Sequence, residues 1–120
     1  MNKFLKSFYY AFRGLKFAWK EETNFRAQTI IALLIIAAMI YFRFSFTEAS
    51  IVIIAIIVVL ITEIINTSLE DLCNKIEPSK DAVIGKIKDM MAAFVLISVI
   101  GALILGALTF FHHFFPSLYN

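Results

Sequence analysis

Cysteine, proline, glycine and charge are all scarce in this chain of 120 residues. The one cysteine, Cys73, excludes an intramolecular disulfide framework, and no Cys/His set has the spacing of a zinc site. Two prolines and four glycines leave little for tight turns, which argues against an all-β sandwich or a loop-rich scaffold. Charged residues make up only 17% and apolar ones 61%, against roughly 25% and 45–50% in ordinary globular domains. A water-soluble domain of this length would struggle to hide so much apolar surface. The composition is that of a membrane protein.

What is present is three apolar runs. Ala27 to Phe42 is 16 residues without charge, Ala49 to Thr62 leads straight into Glu63, and Met90 to Phe111 is 22 residues without charge. A bilayer core about 30 Å thick needs roughly 20 helical residues, and helices satisfy their own backbone groups in lipid. The third run spans outright. The first needs its flanks, and the second spans only with Glu63 in or near the membrane. Membrane helices are therefore expected over 27–43, 49–73 and 88–112. Residues 1–26 interleave aromatic and basic side chains with no continuous apolar stretch, so they do not read as a signal peptide. On a helical wheel Lys3, Lys6, Arg13, Lys16 and Lys20 share one side, and Phe4, Phe8, Phe12, Leu15 and Trp19 the other. This predicts an amphipathic helix over 3–20 lying in the membrane interface. The expected fold is a single all-α integral membrane domain over 1–120.

Six of the eleven basic residues precede the first run, one lies between the first two, four lie between the last two, and none follows. The positive-inside rule then places the N-terminus and second loop in the cytoplasm, and the first loop and C-terminus outside. His112 and His113 fall at the outer interface. As neighbours on a helix they should face different ways, which makes them a poor metal pair.

Ionisable residues inside a membrane helix are costly and are functional candidates by default. Offsets of three and seven put Glu63, Asn66 and Glu70 on one helix face, with Asn74 near the same line. The two carboxylates are about 10 Å apart along the axis. A span starting near Ile51 places Glu63 in the inner half of the bilayer and Glu70 near the cytoplasmic surface. Glu22, at the turn into the first span, and Lys88-Asp89, at the start of the third, reach the same level. Carboxylates, an amide and a lysine at one depth suit magnesium and polyphosphate, since Mg2+ takes one or two carboxylates plus phosphate oxygens. Gly14, Gly85, Gly101 and Gly106 are isolated, so there is no Walker A loop and any nucleotide must be held by side chains on helices. Three other readings stay open. Polar residues can simply join helices by hydrogen bonds. Glu63 can be the intramembrane site of a small ion- or proton-coupled transporter. The surface helix can serve a non-catalytic scaffold.

The chain also resembles a known family. The stretch Ser7-Phe8-Tyr9-Tyr10-Ala11-Phe12-Arg13-Gly14-Leu15, the box Glu22-Thr23-Asn24-Phe25-Arg26, the run Glu63-Ile64-Ile65-Asn66-Thr67-Ser68-Leu69-Glu70 and Gly85-Lys86-Ile87-Lys88-Asp89 occur in order. Together they resemble the small membrane-integral prokaryotic diacylglycerol kinases, a group that includes the undecaprenol kinases. The resemblance covers about Phe4 to Gly106 and implies a homotrimer in the bacterial cytoplasmic membrane, with N-terminus and active site cytoplasmic. It implies transfer of the γ-phosphate of MgATP to the hydroxyl of a membrane lipid alcohol, with no nucleic-acid partner. It assigns Glu63 as general base, Glu22 and Glu70 as metal ligands, and Asn66, Lys88 and Asp89 to the transferred phosphate. Lys6, Tyr10, Arg13 and Asn74 join Glu22, Glu70, Lys88 and Asp89 around the nucleotide, and Lys3 joins Glu63 at the lipid. Departures from the pattern are Asn74 where many members have aspartate, Gln28 where some have glutamate, Asp81 where histidine is common, and Ala11 and Ala92 where some have serine. The Asn24-Phe25-Arg26 form is closer to the undecaprenol kinases, which favours a polyprenol acceptor.

Overall fold

The computed structural model describes residues 2–120. Four helices follow one another: α1 (Lys3–Glu21), α2 (Thr23–Tyr41), α3 (Phe46–Ile76) and α4 (Ala82–Phe114), with a short 3-10 turn over Pro116–Tyr119. No strand occurs among the described residues. Helices α2, α3 and α4 are each long and apolar enough to cross a membrane.

Local chemistry explains each helix end. Asn2 caps α1, its side-chain oxygen accepting from Leu5 N–H at 2.9 Å. Glu22 alone separates α1 from α2, in an extended conformation that turns the chain. Arg26 ties this corner: its guanidinium donates to the Trp19 and Lys20 carbonyls at 2.7 and 2.9 Å and to the Thr23 hydroxyl at 3.3 Å. A cation thereby satisfies the orphan carbonyls at the end of α1. Helix α2 ends at Tyr41, short of residue 43, in a Schellman motif. Phe44 N–H bonds the Met39 carbonyl at 3.0 Å and Arg43 N–H the Ile40 carbonyl at 3.3 Å, while Arg43 takes the left-handed position with φ 56°. Ser45 and Glu48 then form a reciprocal capping box that starts α3. Asp81 starts α4, accepting from Val83 and Ile84 N–H at 2.9 and 3.0 Å. Aspartate at this position therefore serves as a helix cap.

Helix α3 is the middle element and packs against both α2 and α4. On α2 the buried positions Phe25, Ala32 and Met39 recur every seven residues, which is a single narrow stripe. Val52 and Ala55 are the buried apolar positions of the N-terminal half of α3. Between α3 and α4, the Thr62 and Ser98 hydroxyls meet at 2.8 Å. Each also lies within bonding distance of its own helix, Thr62 of the Val59 carbonyl and Ser98 of the Val95 carbonyl. Such links join helices where apolar packing has no water to escape from. The bundle is only 22 Å through its thinnest direction, and large side chains such as Leu33, Leu34, Ile54 and Ile97 stay exposed. Lipid rather than water suits that surface. His112 and His113 do not diverge as adjacent helical positions were expected to: both Nδ1 atoms approach the Glu48 carboxylate, at 3.3 and 3.1 Å.

Candidate active site

At 31 residues α3 is about 46 Å long, well beyond the 30 Å of a bilayer core. Measured from Phe46, Glu63 sits about 25 Å along it and Glu70 about 36 Å. One helix thus carries two carboxylates about 10 Å apart along its axis, both in its C-terminal half.

Glu63 is 2% exposed, the lowest of any ionisable side chain here. Its hydrogen-bond partner across the helix interface is Gln28 of α2, whose Nε2 donates to Oε2 at 3.4 Å. The other Gln28 amide atom, Oε1, is buried without a partner. Beside Gln28 a cavity of about 210 Å³ runs between α2, α3 and α4, lined by apolar side chains including Ile31, Ile35, Val59, Val99 and Leu103. The polar side chain in that lining, Gln28, is thus the one that bonds the buried Glu63 carboxylate.

Glu22 reaches this level from the α1–α2 corner. Burial pushes its carboxyl above the usual carboxylate range, and the charges of Glu63, Glu70 and Asp71 push it the same way. The Thr67 hydroxyl offsets part of that rise, although it lies outside full hydrogen-bond geometry. On the other side of α3, a cleft of about 120 Å³ against α4 is lined by Asn66, Glu70, Cys73, Lys88 and Met91. The Lys88 ammonium donates to the Asn74 side-chain oxygen, which holds its tip beside that cleft. Between α1 and α3 lies a wider open groove of about 640 Å³, with Gly14, Ala18, Glu21, Thr67 and Asp71 among its walls.

The expected residues thus divide. Glu22, Glu63 and Glu70 converge closely enough to feel one another's charge, and Asn66, Glu70 and Lys88 share a cleft with Asn74 at its edge. Lys3, Lys6, Tyr10 and Arg13 lie exposed along α1, with the Arg13 guanidinium over the Tyr9 and Phe17 rings at 5.6 and 5.8 Å. Asp89 is exposed at the start of the α4 span. Three contributors were missed. Asp71 and Thr67 follow Glu63 at offsets of eight and four, so helical periodicity alone could have placed them on its face. Arg26 was read as part of a box, and nothing local signalled that it would fold back onto α1.

The arrangement is suited to a hard divalent cation. Among the described residues no three His, Cys, Asp or Glu side chains form a ready-made cage. Mg2+ in phosphoryl transfer does not require one, since a carboxylate or two completes its shell with phosphate oxygens and water. Glu22 with the charges of Glu63, Glu70 and Asp71 acting on it, none of them ion-paired among the described residues, provides negative charge that such a cation would relieve.

Comparison with known proteins points the same way. The profile of the family described as prokaryotic diacylglycerol kinase matches residues 9–110. A diacylglycerol kinase of Escherichia coli strain K12 is 29% identical over 113 residues, 94% of this chain and 93% of the relative. That of Helicobacter pylori strain 26695 is 33% identical over 99 residues, 82% and 77% of the two chains. One from Haemophilus influenzae is 27% identical over 112 residues, 92% and 95% respectively. The match runs through all three apolar helices and both polar connections, and the chain belongs to the prokaryotic diacylglycerol kinase family.

Proposed function

We propose that the protein is a lipid kinase that transfers the γ-phosphate of MgATP to the hydroxyl of a membrane lipid alcohol. The observation that carries this reading is the buried Glu63, bonded to Gln28 in the wall of an apolar slot, with Glu22 near enough to feel the charges of Glu63 and Glu70. An acceptor chain in the slot would bring its hydroxyl to Glu63, which takes the proton as the oxygen attacks phosphorus. Glu22 and Glu70 are the metal-holding pair, and the cation supplies charge neutralisation at the β- and γ-phosphates. Lys88, held by Asn74, stands with Asn66 where the transferred group must pass, and Asp89 completes that end. The exposed residues of α1, namely Lys6, Tyr10 and Arg13, face the nucleotide, and Lys3 the lipid headgroup. Positioning and charge do most of the work in phosphoryl transfer, so a small helical bundle suffices.

In this reading α1 lies in the cytoplasmic interface of a bacterial inner membrane, and the active site faces the cytoplasm. The subunits form a homotrimer, which shelters the polar face that a 22 Å thick bundle leaves open. The relatives' names support diacylglycerol as acceptor, whereas the Asn24-Phe25-Arg26 box favours a polyprenol such as undecaprenol. A transporter built on Glu63 would give Glu22 and the Asn74–Lys88 pair no task. The deciding experiment is transfer of labelled phosphate from ATP, with Mg2+, by purified protein in micelles offering both alcohols in parallel. Transfer to one establishes the reaction and its acceptor together. No transfer to either from a folded oligomer overturns the proposal.

A further inference from the structure

At the opposite end of the bundle from the carboxylates, three helices meet on one imidazole. His113 Nε2 lies 2.9 Å from the Phe42 carbonyl at the end of α2. Its Nδ1 lies 3.1 Å from Glu48 Oε1 at the start of α3. A backbone carbonyl can only accept, so Nε2 must be the donor there. A neutral imidazole has a single N–H, and spending it on Phe42 would leave a bare Nδ1 lone pair against a carboxylate oxygen. That oxygen already accepts the Ser45 N–H at 2.9 Å. We propose that His113 works as an imidazolium clasp, bonding Phe42 and Glu48 at once and tying α2, α3 and α4 together only while it is protonated.

Three further features fit a positive ring. It sits at the C-terminal ends of α2 and α4, where the helix dipoles favour a cation, and its partner Glu48 lies in the first turn of α3, where an anion is favoured. The Phe42 carbonyl is one of the orphan acceptors of a helix end. Phe44 stacks on the imidazole at 4.1 Å with the planes 18° apart, offering its π face to the charge. The other titratable groups around the clasp are few. His112 Nδ1 approaches Glu48 Oε2 at 3.3 Å, and its side chain is 57% exposed against 20% for His113. Tyr119, on the 3-10 turn, lies against His112 at 5.5 Å, and Tyr41 borders Phe42 on α2. Arg43, in the turn before α3, makes no ion pair with Glu48 among the described residues.

The inference is independent of the kinase reading, because none of these residues belongs to the phosphate site. Its sign is fixed by the proton: the clasp contributes while the ring carries both N–H groups and is lost when one is gone. The test is the thermal midpoint of the full-length protein in micelles, at about pH 5.5 and about pH 8.5. The wild type should lose roughly 5 °C more than His113→Gln across that interval, and Glu48→Gln should lose the same sensitivity. Parallel decline of the wild type and His113→Gln overturns the proposal. Nitrogen-15 spectra of histidine-labelled wild type give a readout that needs no variant to fold. Two protonated ring nitrogens on His113 at the acid pH are expected, and a bare Nδ1 there overturns the clasp.

Discussion

Gln28 provides the sharpest test of how Glu63, the proposed base, is held. Its amide is the hydrogen-bond partner reaching Glu63 from another helix, at 3.4 Å, and Glu63 is almost fully buried. A hydrogen bond to a charged group contributes about 1.5–3 kcal/mol, and a contact this long belongs at the lower end. Taking about 1.4 kcal/mol, Gln28→Leu should lower kcat about tenfold. Leucine preserves the apolar lining of the slot, so KM for the lipid should hold, and KM for ATP should not change because Gln28 touches nothing on the nucleotide side. The assay is steady-state phosphate transfer in micelles, with each substrate varied against saturating amounts of the other. Wild-type kcat in Gln28→Leu, or a defect confined to KM for ATP, would refute the idea that Gln28 orients Glu63.

Four other outcomes follow from the same geometry. Glu70→Gln should abolish Mg2+-dependent transfer while leaving the oligomer intact in size-exclusion chromatography, together with the thermal shift that Mg2+ produces in the wild type. Because burial and then Glu63, Glu70 and Asp71 raise the Glu22 carboxyl, its ionised form is penalised in the folded state. The Glu22 contribution to the stability of metal-free protein should therefore fall as pH rises through the ordinary carboxylate range, so Glu22→Gln should lose less than the wild type over that range in thermal scans. Arg26→Ala frees the Trp19 and Lys20 carbonyls and should loosen Glu22, raising KM for ATP; Arg26→Lys should not fully restore it, since a single ammonium nitrogen on a shorter side chain cannot replace both Nη1 on the two carbonyls and Nη2 on the Thr23 hydroxyl. Thr62→Val removes the hydroxyl link to Ser98 and should cost about 0.6 kcal/mol, with an upper bound near 1.7, in denaturant titration.

What could be read in advance is what repeats along a helix. Uncharged runs mark α2, α3 and α4 without reference to any partner, because a bilayer imposes a length and an apolar composition on each helix separately. The Glu63, Asn66 and Glu70 face was legible for the same reason, since the 3.6-residue turn places them together whatever packs alongside. The contacts that hold these groups were not legible, because they join residues far apart in sequence. Gln28 meets Glu63 across 35 positions, and Asn74 meets Lys88 across a connection that Asp81 shapes by capping α4. The end of α2 was misjudged because its Schellman motif puts Arg43, rather than glycine, in the left-handed position, so the usual stop signal is missing.

The histidine pair shows how far a local rule reaches. Neighbouring side chains do leave a helix about 100° apart. Glu48 enters from α3 between those two directions, and its two oxygens are met by one imidazole each. Adjacency on one helix says nothing of a partner from another, and it is that partner which brings both rings to one carboxylate. The same holds at the other end, where Glu22 joins the α3 carboxylates only because Arg26 folds the corner between α1 and α2. Periodicity on one helix therefore says which groups are available, and the connections between helices decide which of them meet. A variant that disturbs a connection, such as Arg26→Ala, should impair chemistry at residues it never touches.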